Sequence, residues 1–225
     1  MSETSAQIQA DPRTFVADVK PLLERKDLTG LLSLLKSRYT SAQIVSLLIG
    51  KDCDARKVAA LALGLVGGKC CLKELAHQLK DPDPMVNQMV EHAMWSIWFR
   101  SGSEEANHHV CRGAKAIDRG DYEHAIRHFN QALELSPEFA EAYNQRALAE
   151  YLLERYEASL SDCRKAIDLM PIHFGAWAGM GHCHAHEGRL PEAVDCYERA
   201  LSINPHMYQI REAIRELKNR IGADV

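Results

Sequence analysis

Histidine and cysteine are concentrated in one short segment, HCHAH at 182–186. His182 and His186 lie four residues apart, so on a helix they share one face and could chelate a divalent cation. Two ligands are too few to hold a metal ion by themselves. Cys183 and His184 point away from that face, and we expect His184 to pack against a neighbouring helix. The sequence therefore predicts no metal site and no cofactor.

The seven cysteines are an odd number and include no CxxC pair, which is typical of reduced thiols and not of a secreted disulfide framework. Cys70 and Cys71 are adjacent in the chain. Two interpretations of this pair stay open at the sequence level. The thiols could act in redox chemistry, or they could be structural residues near the start of a helix.

Four aspartates have the spacing of paired carboxylates that could perform acid–base chemistry. Each precedes an apolar helical pattern, so an N-terminal cap that also favours the helix dipole explains them without catalysis. The chain has no phosphate-binding glycine loop, no nucleophile elbow and no HExxH helix. We therefore expect no catalytic residues and no enzymatic activity. The four aspartates are Asp52, Asp54, Asp81 and Asp83.

Composition and charge limit the class of partner. With 225 residues and 46% apolar content, the chain can bury a sizeable core. Its formal net charge is -4, and residues 101–225 carry 14 Lys/Arg against 20 Asp/Glu. Neither a nucleic-acid partner nor an anionic membrane is expected from this balance. The polar start and the lack of an apolar run of about 18 residues predict a cytoplasmic protein.

A shift of 34 residues superimposes three segments, 120–137, 154–171 and 188–205, without gaps. Each segment has an alanine in the same column and ends in a proline. Tyr122, Ala125, Ile126 and Phe129 recur at helical spacing and form one apolar face. The coincident residues are Ala132, Ala166 and Ala200, followed by Pro137, Pro171 and Pro205.

Each repeat therefore contains two helices, separated by a short turn and stopped by the proline. No single hairpin can bury its own apolar face, so the units must stack. No stretch alternates apolar and polar residues with the period of two that is typical of a strand. The sequence predicts an all-α protein, an α-solenoid without a sheet.

Residues 106–205 resemble the tetratricopeptide repeat (TPR) family in unit length and in the alanine, aromatic and proline columns. The resemblance implies a right-handed superhelix of three units, 106–139, 140–173 and 174–207, closed by a capping helix at 207–221. Ser159, Cys163 and Glu154 depart from the family pattern. These departures predict looser packing in the middle unit.

The N-terminal segment follows another period. DCDARKVAALALG at 52–64 aligns with the segment that begins at Asp83, 31 residues later. Together with its small residues, this pattern resembles HEAT-like repeats, including those of the phycobilin-lyase type. We expect a disordered tail at 1–11 and a HEAT-like segment at 12–100.

Aromatic residues are densest just before the short polar linker 101–106. We expect Trp95, Trp98 and Phe99 to form a core that joins the two repeat types into one body. An exposed docking site at these residues is the alternative.

In the TPR family the first helices of the units line a concave binding face. The resemblance carries this role to Asn107, Asp118 and Ala178, and to the partner-binding residues that we expect here: Val110, Ala114, Ile117, Asn144, Leu148, Tyr151, Leu152, His182 and His186. Some family members clamp an acidic peptide tail with basic residues. Here the clamp positions are Val110, Ala114, Gln145, Gly175 and Gly179, none of them basic, so we reject that function.

The sequence thus predicts a scaffold or adaptor that binds a peptide or helix of another protein in the concave groove. An apolar or amphipathic segment fits this groove better than a highly charged one. The chain's own N-terminal tail or a second copy could also fill it. A lyase-type enzyme in the HEAT-like part and a regulatory subunit of a catalytic partner remain alternative functions.

Overall fold

The structure is a computed structural model that describes residues 10–223. Every regular element in that range is helical, which confirms the predicted all-α class. The chain divides into two compact units, Met1–Ile97 and Trp98–Val225. The predicted disordered tail falls mostly outside the described residues, except that Asp11 accepts a hydrogen bond from the Thr14 amide and caps the first helix. No helix among residues 10–223 is both long and apolar enough to cross a membrane.

The first unit consists of short helices with side-chain caps at most of their N-termini. Asp11, Asp27, Thr40 and Asp52 each accept a hydrogen bond from a backbone amide of the first turn. The elements are α1 (Pro12–Glu24), α2 (Leu28–Arg38), α3 (Ser41–Leu48), α4 (Cys53–Val66), a 3₁₀ turn (Lys69–Cys71), α5 (Leu72–Gln78) and α6 (Pro84–Trp98).

Helices α4 and α6 begin 31 residues apart, in agreement with the period in the sequence. They pack closely, because a Cβ added to Gly64 would lie 3.3 Å from the Cα of Ala93. The assignment of this segment to the HEAT-like class stays a prediction.

Asp81 does not cap a helix, so that expectation was wrong for this residue. Arg56 Nε donates to Asp81 Oδ2 at 2.7 Å, and a second guanidinium nitrogen donates to Oδ1 at 3.2 Å. Asp81 is 8% exposed, and a bidentate pair satisfies both oxygens of a carboxylate in such a place. Asp52 and Asp83 do cap their helices, as expected.

The second unit contains three helical hairpins and a final helix. The first helices of the hairpins are α7 (Glu104–Asp118), α9 (Ala140–Leu152) and α11 (Phe174–His186), and the second helices are α8 (Tyr122–Leu135), α10 (Tyr156–Leu169) and α12 (Leu190–Ile203); α13 (Tyr208–Ala223) follows. All three second helices start and end 34 residues apart, which confirms the repeat register. Helix α7 starts two residues before the predicted unit because Ser103 caps it.

Small residues on the first helices let aromatic rings of the second helices approach. A Cβ on Gly113 would lie 2.4 Å from the Phe129 ring, and one on Gly181 would lie 2.4 Å from the Tyr197 ring. The corresponding position on α10 is Cys163, which is 1% exposed. A small residue in one helix and a ring in its partner therefore define the core of the outer two hairpins.

The middle hairpin accommodates its departures from the family pattern. Ser159 is 1% exposed, and its hydroxyl donates to the Ala147 carbonyl oxygen at 2.8 Å and accepts from the Cys183 thiol at 3.2 Å. Glu154 adopts φ = 59°, where the other two hairpins have glycines with φ = 75°. The looser packing that we predicted is not seen at Ser159 or Cys163.

An apolar face of helix in the second unit

One face of α9 carries the most exposed apolar surface on the first helices of the hairpins. Asn144, Leu148, Tyr151 and Leu152 recur at the three- and four-residue spacing that places side chains on one side of a helix. Leu148 is 42% exposed and Leu152 is 38% exposed. Both leucines were expected to be partner-binding residues, and both lie at the surface.

Helix α11 places its two predicted histidines beside this face. The Tyr151 ring makes an edge contact with the His186 ring, with centroids 5.3 Å apart, and lies 6.1 Å from the His182 ring. Tyr156, at the start of α10, stacks on His186 with centroids 5.1 Å apart. The structure thus brings Tyr151, His182 and His186 into one aromatic cluster.

A second hydroxyl fixes the position of His182. The Tyr197 hydroxyl and His182 Nδ1 are 2.7 Å apart, and Tyr156 Oη and His186 Nδ1 are 3.3 Å apart. Partial burial, and then the neighbouring His186, lower the pKa of His182. Burial raises the pKa of Tyr151 and of Tyr197. These three rings are therefore uncharged at neutral pH, and the cluster presents an aromatic surface with hydrogen-bonding edges.

Helix α7 contributes less surface than expected. Val110 is 0% exposed and belongs to the core of the first hairpin, so it offers nothing to a partner in this structure. Ala114 and Ile117 are half-buried, and Asp118 is exposed. Asn107 accepts a hydrogen bond from the Gly102 amide at 2.9 Å and so fixes the preceding loop. On α11, Ala178 is 6% exposed.

The same face of α9 is closed at its N-terminal end. Glu141 Oε2 lies 2.7 Å from His173 Nε2, and both side chains have no exposed surface. His173 Nδ1 accepts from the Ala176 amide at 3.1 Å, so Nε2 carries the proton and donates to the carboxyl group. Gln145 Nε2 donates to the other oxygen of Glu141 at 2.7 Å. Sequence reasoning missed this buried network.

Trp98 covers the network. Its indole stacks on His173 and meets the Phe174 ring edge-on, with centroids 5.1 Å apart in the second contact. Trp98 is 1% exposed. The N-terminal end of the α9 face is therefore occupied by the chain itself, whereas the end with Leu148 and Leu152 is open.

The positions of the family's carboxylate clamp present no cation in this structure. Gln145 is engaged by Glu141, and Gly175 and Gly179 have no side chain. The nearby Arg146 forms a bidentate pair with Asp162, at 2.7 Å for both nitrogen–oxygen distances. The open end of the face is thus apolar and aromatic and not basic.

Other residue groups with potential chemistry do not assemble into a further centre. Among residues 10–223, no three His, Cys, Asp or Glu side chains are arranged to hold a metal ion. The Sγ atoms of Cys70 and Cys71 lie 3.8 Å apart, and Cys71 is buried. Burial raises the pKa of the Cys71 thiol.

Comparison with known sequences was made once this geometry was clear. Models of the tetratricopeptide repeat match residues 140–173 and 175–207, and a TPR repeat model matches 115–153. Sperm-associated antigen 1 of Mus musculus is 36% identical over 118 residues, which are 51% of this chain and 13% of that protein. A TPR repeat-containing protein of Rhizobium etli is 28% identical over 154 residues, 68% of this chain and 76% of the relative. The chain thus spans about an eighth of the length of the first of these relatives.

Solved structures agree in fold. The first TPR of Spaghetti (RPAP3), bound to an HSP90 peptide, is 24% identical with a TM-score of 0.52, over 53% of this chain and 95% of that one. The Sgt2 TPR domain from Aspergillus fumigatus is 21% identical with a TM-score of 0.52, over 54% of this chain and 82% of that one. The exact 34-residue recurrence of the hairpins and the three matching repeat models together establish that residues 115–207 of this chain belong to the tetratricopeptide repeat family.

Proposed function

We propose that this chain is a protein-interaction adaptor that binds an apolar or amphipathic segment of a partner protein on the open end of the α9 face. The observation that carries the proposal is the exposure of Leu148 and Leu152 beside the cluster of Tyr151 and His186. Exposed leucines next to uncharged rings gain free energy when an apolar side chain covers them. The partner contributes that side chain.

The chemistry of the surface selects against an acidic tail. The HSP90 peptide belongs to the Spaghetti structure, and its binding mode does not transfer to this chain residue by residue. Here the clamp positions hold no basic side chain, and residues 101–225 carry more acidic than basic groups. An acidic peptide would gain no charge-assisted hydrogen bond at those positions. The proposed partner segment is therefore neutral or basic.

The proposal also includes the organisation expected from the sequence. A HEAT-like segment at 12–100 precedes a TPR domain at 106–221, and the protein acts in the cytoplasm without catalysis. Of the predicted site residues, Asn144, Leu148, Tyr151, Leu152, His182 and His186 form the proposed contact surface. Ala114 and Ile117 extend it on α7.

The test compares two leucines of similar exposure. Leu148 is 42% exposed on the proposed surface, and Leu135 is 44% exposed at the end of α8. Proteins retained by the tagged full-length chain are identified by mass spectrometry for the wild type, Leu148→Glu and Leu135→Glu. The partner that is retained reproducibly is then purified, and its affinity for each chain is measured by calorimetry.

We expect Leu148→Glu to weaken binding at least about tenfold, which corresponds to about 1.4 kcal/mol, and Leu135→Glu to bind as the wild type does. Circular dichroism should show the same helical content and melting temperature for all three chains. Equal affinity of Leu148→Glu and wild type would refute the surface assignment. A dimer of the wild-type chain that becomes a monomer in Leu148→Glu would identify a second copy as the occupant.

A further inference from the structure

A cavity of about 400 Å³ lies within the first unit, between the turn that joins α1 to α2 and the helices α4 and α6. It shares no residue with the face of α9. Its volume falls within the range of roughly 300–1,000 Å³ that is typical of small-molecule sites. Nothing in the proposed adaptor function requires this cavity.

Small residues form the inner surface of the cavity. Ala60 and Gly64 of α4 and Ala93 of α6 line it, and each of them is buried. The close approach of α4 and α6 at Gly64 leaves no side chain there to fill the space. Larger residues at these positions would occupy the volume, so the depth of the cavity follows from the sequence.

Long apolar side chains form the walls and the rim. Leu61 and Met89 line the walls, while Leu28 and Met85 also line the cavity and are 55% and 48% exposed. Methionine side chains are flexible and polarizable, so they adapt to apolar molecules of different shape. Leu28 and Met85 would lose exposed apolar surface if a ligand extended to the rim.

Two polar side chains from one helix also line the cavity. Gln88 and His92 lie one turn apart on α6, and within residues 10–223 neither has a hydrogen-bond partner. An amide and an imidazole can each donate or accept a hydrogen bond. None of the residues that line the cavity is Asp, Glu, Lys or Arg. A charged ligand group would lose its hydration there without gaining an opposite charge.

We propose that this cavity binds an uncharged, elongated apolar molecule with a terminal hydrogen-bonding group. The apolar body lies on Ala60, Gly64 and Ala93 between the leucine and methionine walls. The polar end bonds to Gln88 or His92. A fatty alcohol of medium length has this chemistry, and the matching carboxylate and ammonium compounds have the same body with the wrong end group.

The full-length chain is titrated with Nile red, a neutral dye whose fluorescence rises in apolar sites, and the dye is displaced with 1-decanol, decanoate or decylammonium. We expect saturable binding of one dye per chain and displacement by 1-decanol at a concentration at least about tenfold lower than by either ion. Met89→Lys should weaken dye binding at least about tenfold, because it places a cation in the wall. Leu135→Lys, an exposed apolar position in the second unit, should leave dye binding unchanged.

A measurement on the unmodified chain avoids any effect of substitution on folding. With ¹³C-methyl methionine, 1-decanol should shift the signals of Met85 and Met89 and leave those of Met170 and Met207 unchanged. Equal displacement by decanol and decanoate, unsaturable dye binding, or equal effects of the two lysine substitutions would overturn the proposal. Shifts of Met85 and Met89 that depend on protein concentration alone would also overturn it, because the occupant would then be a second copy of the chain.

Discussion

The indole of Trp98 lies nearly parallel to the imidazole of His173, with ring centroids 4.1 Å apart and an angle of 15° between the planes. Trp98 is the last residue of α6, and His173 precedes α11, so the contact joins the start of the second unit to its third hairpin. The sequence predicted that Trp98 would be buried. Its partner was not predicted.

Trp98→Ala should destabilise the second unit strongly. Truncation of a buried aromatic side chain to alanine costs about 3–5 kcal/mol, from lost burial and from the cavity that remains. Trp98→Phe keeps part of the stacking and should cost less. Urea unfolding of the full chain, followed by circular dichroism, measures both changes. A loss below about 1 kcal/mol for the alanine variant would mean that the stack contributes little.

Glu141→Ala should destabilise the chain by roughly 1–3 kcal/mol, because the buried donors of His173 and Gln145 would both lose their acceptor. Glu138→Ala is the matched control, since Glu138 is exposed three residues earlier. Urea midpoints of the two variants provide the comparison. If the two substitutions have the same effect, the Glu141 network does not stabilise the fold.

Gly181→Ala should destabilise the third hairpin by roughly 1–3 kcal/mol, because the added methyl group would overlap the Tyr197 ring. Gly113→Ala should behave similarly through Phe129. A Cβ on Gly222, within α13, meets no atom within 4 Å, so Gly222→Ala should be neutral or slightly stabilising. Thermal melting of the three variants gives the ranking. A Gly181→Ala chain as stable as wild type would show that Tyr197 can move without cost.

Acidification should destabilise the second unit. Partial burial is the main cause that lowers the pKa values of His128, His182 and His184. The folded state therefore binds these protons less readily than the unfolded chain, in which histidine has a pKa of about 6.5. This contribution to stability is complete above about pH 6.5 and is lost as the pH falls below it.

Urea midpoints at pH 7.5, 6.5 and 5.5 measure this dependence. His128→Gln should reduce the slope, whereas substitution of the exposed His108 by glutamine should reduce it less. A midpoint that stays constant or rises on acidification would contradict the expected direction.

Much of the second unit could be predicted because its repeats constrain one another. Ala132, Ala166 and Ala200 have 0% exposure, and the second helices that contain them begin and end in one register. A packing position that recurs three times leaves a strong signal in the sequence. Asp81 left no such signal, since its role depends on Arg56, which lies on another helix.

The open part of the candidate surface could also be predicted in outline. Leu148, Leu152 and Tyr151 share a face by helical spacing alone, and the structure places His186 against Tyr151. Val110 has the same type of position in its own repeat but is buried, because the spacing does not reveal what covers a face. The bond between Glu141 and His173 and the cavity in the first unit depend on side chains from several helices. No pattern within one helix indicates them.

The contact between Trp98 and His173 also has a consequence for the order of folding. Each hairpin of the second unit packs mainly against its neighbours along the chain, and such local contacts form early and fast. Trp98 can reach His173 only after the two intervening hairpins have formed, since closing so long a loop costs entropy before the rings meet. Its loss should therefore accelerate unfolding several-fold and leave the refolding rate almost unchanged.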